Sequence, residues 1–148
     1  MTETPFDADS LHDALADKLD ALSRALQARV VEKLSGEVLA RHSGALADSI
    51  FASLEDGGTN FTAEIGSSGV VYAAIQEYGG KTAAHDIVAV KAKALAFMTG
   101  GALHFARSVH HPGSLIPARS YLGSSLDEMR DDIENGLKDA VLAALGAD

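Results

Sequence analysis

The chain reads as an α+β domain: an antiparallel β-sheet of about four to five strands, in two hairpins, packed with a long N-terminal helix and a C-terminal helix. Apolar residues recur at helical period near both ends. The middle instead shows alternating apolar and polar residues broken by glycine pairs. Charge follows the same division. Residues 1–56 hold 11 acids and 5 bases, residues 57–120 hold 3 and 5, and residues 121–148 hold 7 and 2. With 148 residues, 47% of them apolar and 22% charged, the chain fits one domain with a real core. The expected layout is a flexible start at 1–9, helix within 10–40, a β-rich part at 45–120 and a closing helix at 121–146.

The first helix rests on Leu11, Leu15, Leu19, Leu22, Leu26, Val30 and Leu34, a single apolar stripe. Asp9 or Ser10 is placed to cap its start, Asp13 and Asp17 suit the positive end of its dipole, and Gly36 marks a stop or kink. From Ser10 to Ser35 it would run about 39 Å at 1.5 Å per residue. A globule of this size has a radius of gyration of about 15 Å, so the helix crosses the domain or projects from it. Next, Ser49–Glu55 and Thr59–Ile65 flank Asp56-Gly57-Gly58 as a hairpin, with Phe61, Ala63 and Ile65 on the buried face. Residues 71–78 carry Tyr72, Ile75 and Tyr78 at helical spacing and stop at Gly79-Gly80. A second hairpin turns at Thr99-Gly100-Gly101. A three-residue loop there pairs Leu95 with Phe105 and Phe97 with Leu103, gathering four large apolar groups on one face, so that register is preferred. His111-Pro112-Gly113-Ser114 is a turn, and Ile116, before Pro117, is extended. The last helix carries Leu126, Met129, Ile133, Leu137, Ala140 and Ala144 as its stripe. Ser125 and Glu128 stand at capping-box spacing, Gly136 weakens its middle, and Asp127, Asp131, Asp132, Glu134 and Asp139 form a solvated face.

Composition narrows the chemistry. The absence of cysteine excludes disulfides, a thiol nucleophile and thiolate metal sites. A net charge of −9 makes the chain a poor general binder of nucleic acid, because phosphate contacts need Lys and Arg, and no sequence-specific nucleic-acid partner is expected. The opening MTETPFDADS lacks the plan of a signal peptide, and no apolar run approaches a membrane span, so no membrane partner is expected. Four of the six histidines, His85, His104, His110 and His111, lie in the middle third; if one strand continues through them, His104 and His110 share a face. With Asp86 or Glu77 they offer a metal set on paper, but no tight ligand motif is present. Ser43 beside His42 lacks a nucleophile elbow, and Gly79-Gly80-Lys81-Thr82 lacks the frame of a phosphate loop. No catalytic, cofactor-binding or metal residue is therefore assigned, and no cofactor is expected. Arg119 is placed to pair with Glu77 or an acid of the last helix.

Three segments occur in order: Gly44-Ala45-Leu46-Ala47-Asp48-Ser49-Ile50, then YAAIQEYGG at 72–80, then IPARSYL at 116–122. Together they resemble the tailed-bacteriophage virion morphogenesis family, whose pattern is G-x-L-x-x-S-I, then Y-A-x-x-x-E-[FY]-G, then P-A-R-x-[FY]-L. Tyr121 stands where phenylalanine is common. The resemblance spans roughly residues 10–140 and implies a non-enzymatic structural protein. Its role would be tail completion or head–tail joining, in a homo-oligomeric ring, often of six subunits, with neck, connector and tail-tube proteins as partners. It would be found in the bacterial cytoplasm during assembly and in the virion afterwards. DNA would pass through such a ring, so one acidic helical face is expected to line the channel. The candidate interface surfaces are the 71–80 segment, the 81–93 loop and a sheet edge, with 81–86 ordering on assembly. The interface or fold-fixing set is Tyr72, Glu77, Tyr78, Gly79, Gly80, Pro117, Arg119 and Tyr121; the plainer role for it is an aromatic plug, a helix stop and a proline turn. Two other readings stand beside this one: an acidic regulatory or inhibitor module, such as a DNA mimic, and a small histidine-dependent metal enzyme.

Overall fold

The computed structural model describes residues 7–38 and 44–146. The fold is α+β, with a long N-terminal helix, small antiparallel ladders and a C-terminal helix. Helix α1 spans Ala8–Glu32, about 37 Å of helix. Its cap is Asp7, whose Oδ1 accepts from the Asp9 amide at 3.1 Å, rather than Asp9 or Ser10. The stripe works as a packing face at its C-terminal half, where Leu26, Val30 and Leu34 are buried. The helix then opens into a π-turn at Lys33–Glu37, with Gly36 at φ +136°, so the expected stop is where the chain leaves helical geometry. The helical reading extended to residue 40; residues 39–43, including His42 and Ser43, lie outside the described residues.

A short helix α2 (Ala45–Asp48) delivers Leu46 and Ala47 to the core and leads into β1 (Ile50–Asp56). β1 pairs antiparallel with β2 (Phe61–Ser67), from Asp56↔Phe61 to Ile50↔Ser67. Phe61, Ala63 and Ile65 are half-buried while Thr62 and Glu64 are exposed, as the alternation predicts. This hairpin packs on α1, and Gln27 donates to the Ile50 carbonyl at 2.8 Å across the junction. Helix α3 is Ala73–Tyr78, and α4 is Leu122–Ala144, packed along α1. The core is Leu26, Val30, Leu34, Leu46, Ala47, Ile50 and Tyr121, with Met129 and Ile133 of α4 packed against it. Gly136 is buried at the α1–α4 contact; a Cβ there would stand 2.9 Å from the Lys18 Cε and 3.4 Å from a Leu22 methyl.

Between α3 and α4 the chain makes one long excursion and returns. Outgoing β3 (Gly80–Lys81), β4 (His85–Val88) and β5 (Leu95–Thr99) pair in turn with returning β8 (Leu115–Ile116), β7 (Ser108–His111) and β6 (Ala102–Ala106). The sheet expected from four to five strands is therefore four separate two-stranded ladders, three of them in line along this arm. The arm packs chiefly on itself. Its tip corrects the expected register. Thr99 pairs with Ala102, so the loop has two residues, Gly100 and Gly101, both at positive φ (+58° and +80°). That is the type I′ pattern, whose twist matches a hairpin. Leu95 then faces Ala106 and Phe97 faces His104, while Met98 pairs with Leu103 and Ala96 with Phe105 on the other face. The apolar groups are split between two faces because the arm has no core to select one, and the turn decides the register.

Candidate functional site

The junction where the arm leaves and rejoins the body is built around one carboxylate. Glu77, near the end of α3, is only 7% exposed. Its Oε2 accepts from the amides of Tyr121 (2.8 Å) and Leu122 (2.9 Å), and its Oε1 accepts from the Gly123 amide (3.0 Å) and the Ser120 hydroxyl (2.7 Å). The three amides open α4, which has no intrahelical acceptor for them. Glu77 is thus the N-cap of a helix that starts some 45 residues later in the chain. Burial pushes its carboxyl up, but the donors outweigh burial and hold it below the ordinary value of 4.5. The expected capping box does not form. Ser125 lies inside the helix, donating to the Tyr121 carbonyl at 2.6 Å, and Glu128 faces α1. Ser120, one residue before the N-cap position Tyr121, supports the Glu77 cap, its hydroxyl accepting from the Ser124 amide at 3.1 Å while donating to Glu77.

The sequence-predicted residues divide here. Glu77, Gly79, Gly80 and Tyr121 meet at the junction. Gly79 has φ +70° and ψ −178°, a region that only glycine occupies readily, rather than the left-handed helical one. A Cβ on it would stand 2.6 Å from the Ala118 amide nitrogen and 2.9 Å from the Ile116 carbonyl. Gly80 pairs with Ile116, and the Arg119 amide donates to the Gln76 carbonyl at 2.8 Å. Tyr121 is buried, with its hydroxyl donating to the Ala73 carbonyl at 3.2 Å; burial, then the charge of Glu77, pushes that phenol up. By contrast Tyr72 and Tyr78 are exposed, at 41% and 77%, beside Val71 at 99%. Of the expected aromatic plug only Tyr121 is buried in the junction: α3 turns its carboxylate inward, while Tyr78 and Tyr72, just before the helix, stay outward. Pro117 and Arg119 are also exposed. The Arg119 guanidinium makes no ion pair with Glu77 or α4 among the described residues, because backbone amides already occupy the carboxylate.

A second polar contact ties α1 to the same end of α4. Lys33 is 2% exposed, and its Nζ donates to Glu128 (2.6 Å) and the Ser124 hydroxyl (2.7 Å). Arg29 reaches Glu128 (2.9 Å), Glu37 (2.7 Å) and Glu32 (3.1 Å). Lys33, then Arg29, hold the Glu128 carboxyl below its ordinary value. Sequence reasoning passed over Lys33, although a signal existed: it lies three residues after Val30 and seven after Leu26, on the apolar side of α1.

The histidines spread along the arm. His85 stacks on His111 with ring centroids 5.1 Å apart, His110 Nδ1 lies 2.8 Å from Asp86, and His104 stacks on Phe97. The returning strand breaks at Arg107, so His104 and His110 belong to different ladders. Among the described residues no three His, Asp or Glu side chains converge as a metal set, and no described helix is long and apolar enough to cross a membrane. Segment 81–86, expected to order on assembly, is already paired at Lys81↔Leu115 and His85↔His111. Comparison with protein-family models, with curated proteins and with solved structures finds no match.

Proposed function

We propose that the chain is a structural protein of a tailed-phage or prophage neck or tail, working in tail completion or head–tail joining as an oligomeric ring. The observation that carries this reading is the convergence of two of its three sequence motifs. YAAIQEYGG and IPARSYL, 36 residues apart in the chain, meet at Glu77, Gly79 and Tyr121. Glu77, Gly79 and Tyr121 are the motif positions that the junction holds in place, while Tyr72, Tyr78, Pro117 and Arg119 of the same motifs are exposed and free for contact. The third motif supports the same core: Gly44 starts α2 at φ +80°, Leu46 and Ile50 are buried, and Ser49 bonds the Leu46 carbonyl and Ser67. A self-contained junction holding out an exposed arm suits a protein whose work is contact. For the acidic helical face expected to line a channel through which DNA slides, this reading uses Asp9, Asp13 and Asp17, exposed along α1. Deleting the gene from its phage or prophage tests the role. Electron microscopy of the lysate should find filled heads and free tails unjoined, restored by the intact gene in trans. Normal virions from the deletion would refute it.

A further inference from the structure

The arm is chemically unlike the body that carries it. Residues 80–116 hold Lys81, Lys91, Lys93 and Arg107 against Asp86 alone, net +3, so the rest of the chain stands at −12 within the total of −9. Three of those cations gather at one elbow. Between β4 and β5 the outgoing strand bulges through residues 90–94, bearing Lys91 and Lys93, while only Arg107 separates β6 from β7 on the return. None of the three makes an ion pair among the described residues. Beyond the elbow, the tip exposes Met98 (67%), Leu103 (57%) and Phe105 (68%) on one face. A lone two-stranded ribbon is marginal in water, and an apolar patch on it marks a surface made to be covered.

The outer face of α4 has the complementary order. Asp131 and Glu134 are exposed there and make no ion pair among the described residues, although Arg130 stands near both and Lys138 follows one turn on; one to three turns beyond Glu134 lie Leu137, Val141, Leu142 and Leu145, with Leu142 49% and Leu145 51% exposed. Spacing matches as well. From Lys93 to Met98 a strand covers about 17 Å, and from Asp131 to Leu142 a helix rises about 16 Å. We infer that the arm of one copy docks on the outer face of α4 of a second copy. Its cationic elbow sits on Asp131 and Glu134, and its apolar tip on Leu142 and Leu145. The contact is heterologous, head to tail, as a closed ring requires. It rests on the reading of the chain as a self-assembling structural protein, and supplies that reading with an interface.

Solution mass of the full chain, followed across concentration and salt, tests it. The wild type should exceed the mass of one copy, and less so at high salt. The arm variant Lys91→Glu/Lys93→Glu/Arg107→Glu and the helix variant Asp131→Lys/Glu134→Lys should each associate about tenfold more weakly or worse, with unchanged helical circular dichroism. Mixing the two variants should restore association, which no loss of folding would do. Phe105→Ser should weaken assembly without gaining from either charge variant. Wild-type protein that stays monomeric throughout would overturn the proposal. So would oligomers indifferent to both charge variants, which would leave a ring closed by another surface. Arm variants that keep their mass but lose binding to a short DNA duplex would overturn it too, in favour of a nucleic-acid contact. The virion role answers separately to the deletion experiment, so either can fail alone.

Discussion

Glu77 concentrates the junction's stability in a single side chain. Replacing it by glutamine keeps its shape but turns an N–H₂ group toward donors that need an acceptor. We expect Glu77→Gln to lose about 3 kcal/mol, measured by urea unfolding at neutral pH. Its folded carboxyl lies below the unfolded value, so its stabilisation is complete above pH 4.5 and is lost as the pH falls through the lower folded value. The wild type should therefore lose stability below pH 4.5 more steeply than Glu77→Gln, and equal acid slopes would show that the carboxylate is not the clamp. Gly79→Ala meets both a forbidden backbone region and a closed space beside Ala118 and Ile116. It should cost about 3 kcal/mol or more, where alanine at the exposed Gly58 costs only its backbone strain. The sequence offered Glu77 as a partner for Arg119 and as a motif residue, but not as the cap of α4. Nothing local ties it to amides 45 residues on, and an arginine nearby offered a more obvious partner than bare backbone.

At the scale of elements, what could be read depended on whether the determinant was local. The stripe of α1 and the alternation of β2 are period effects, and they appear where the pattern places them. The start of α4 is set from outside the helix, which is why its S-x-x-E spacing misled. The second hairpin failed for another reason. Choosing register by the buried face presupposes full burial, and no arm residue is more than half-buried, so two glycines in a type I′ loop decide it. Gly100→Asn should keep the Phe97↔His104 pairing, since asparagine followed by glycine favours that turn, whereas Gly101→Val should broaden or shift the arm's amide resonances. Gly136 illustrates packing against propensity. Alanine there gains about 1 kcal/mol of helix propensity and needs only the flexible Lys18 stem to swing aside. We expect Gly136→Ala to be near neutral in thermal unfolding and Gly136→Leu, which must displace Leu22, to be clearly destabilising.

Across the whole molecule, stability is divided unevenly. α1, α4 and β1–β2 share the core, while the arm depends on its own ladders. In hydrogen exchange on dilute protein, amides of 85–111 should exchange well before those of 22–32 and 125–140, and assembly should slow the arm selectively. Uniform protection in dilute protein would mean that the arm folds as part of the core. Composition gave the first sign of this division, in a near-neutral middle between acidic ends, although it could not tell a sheet laid on the body from a ribbon held away from it. The side-by-side placement of Gly80 and Ile116 carries a last consequence. The body senses only where the excursion begins and ends, not what it contains. Replacing it by a tight four-residue turn would even lower the entropy cost of closing the chain, by about 2 kcal/mol. Selection is thus free to lengthen, shorten or recode everything between those two residues, so descendants of one scaffold can exchange neighbours without being refolded.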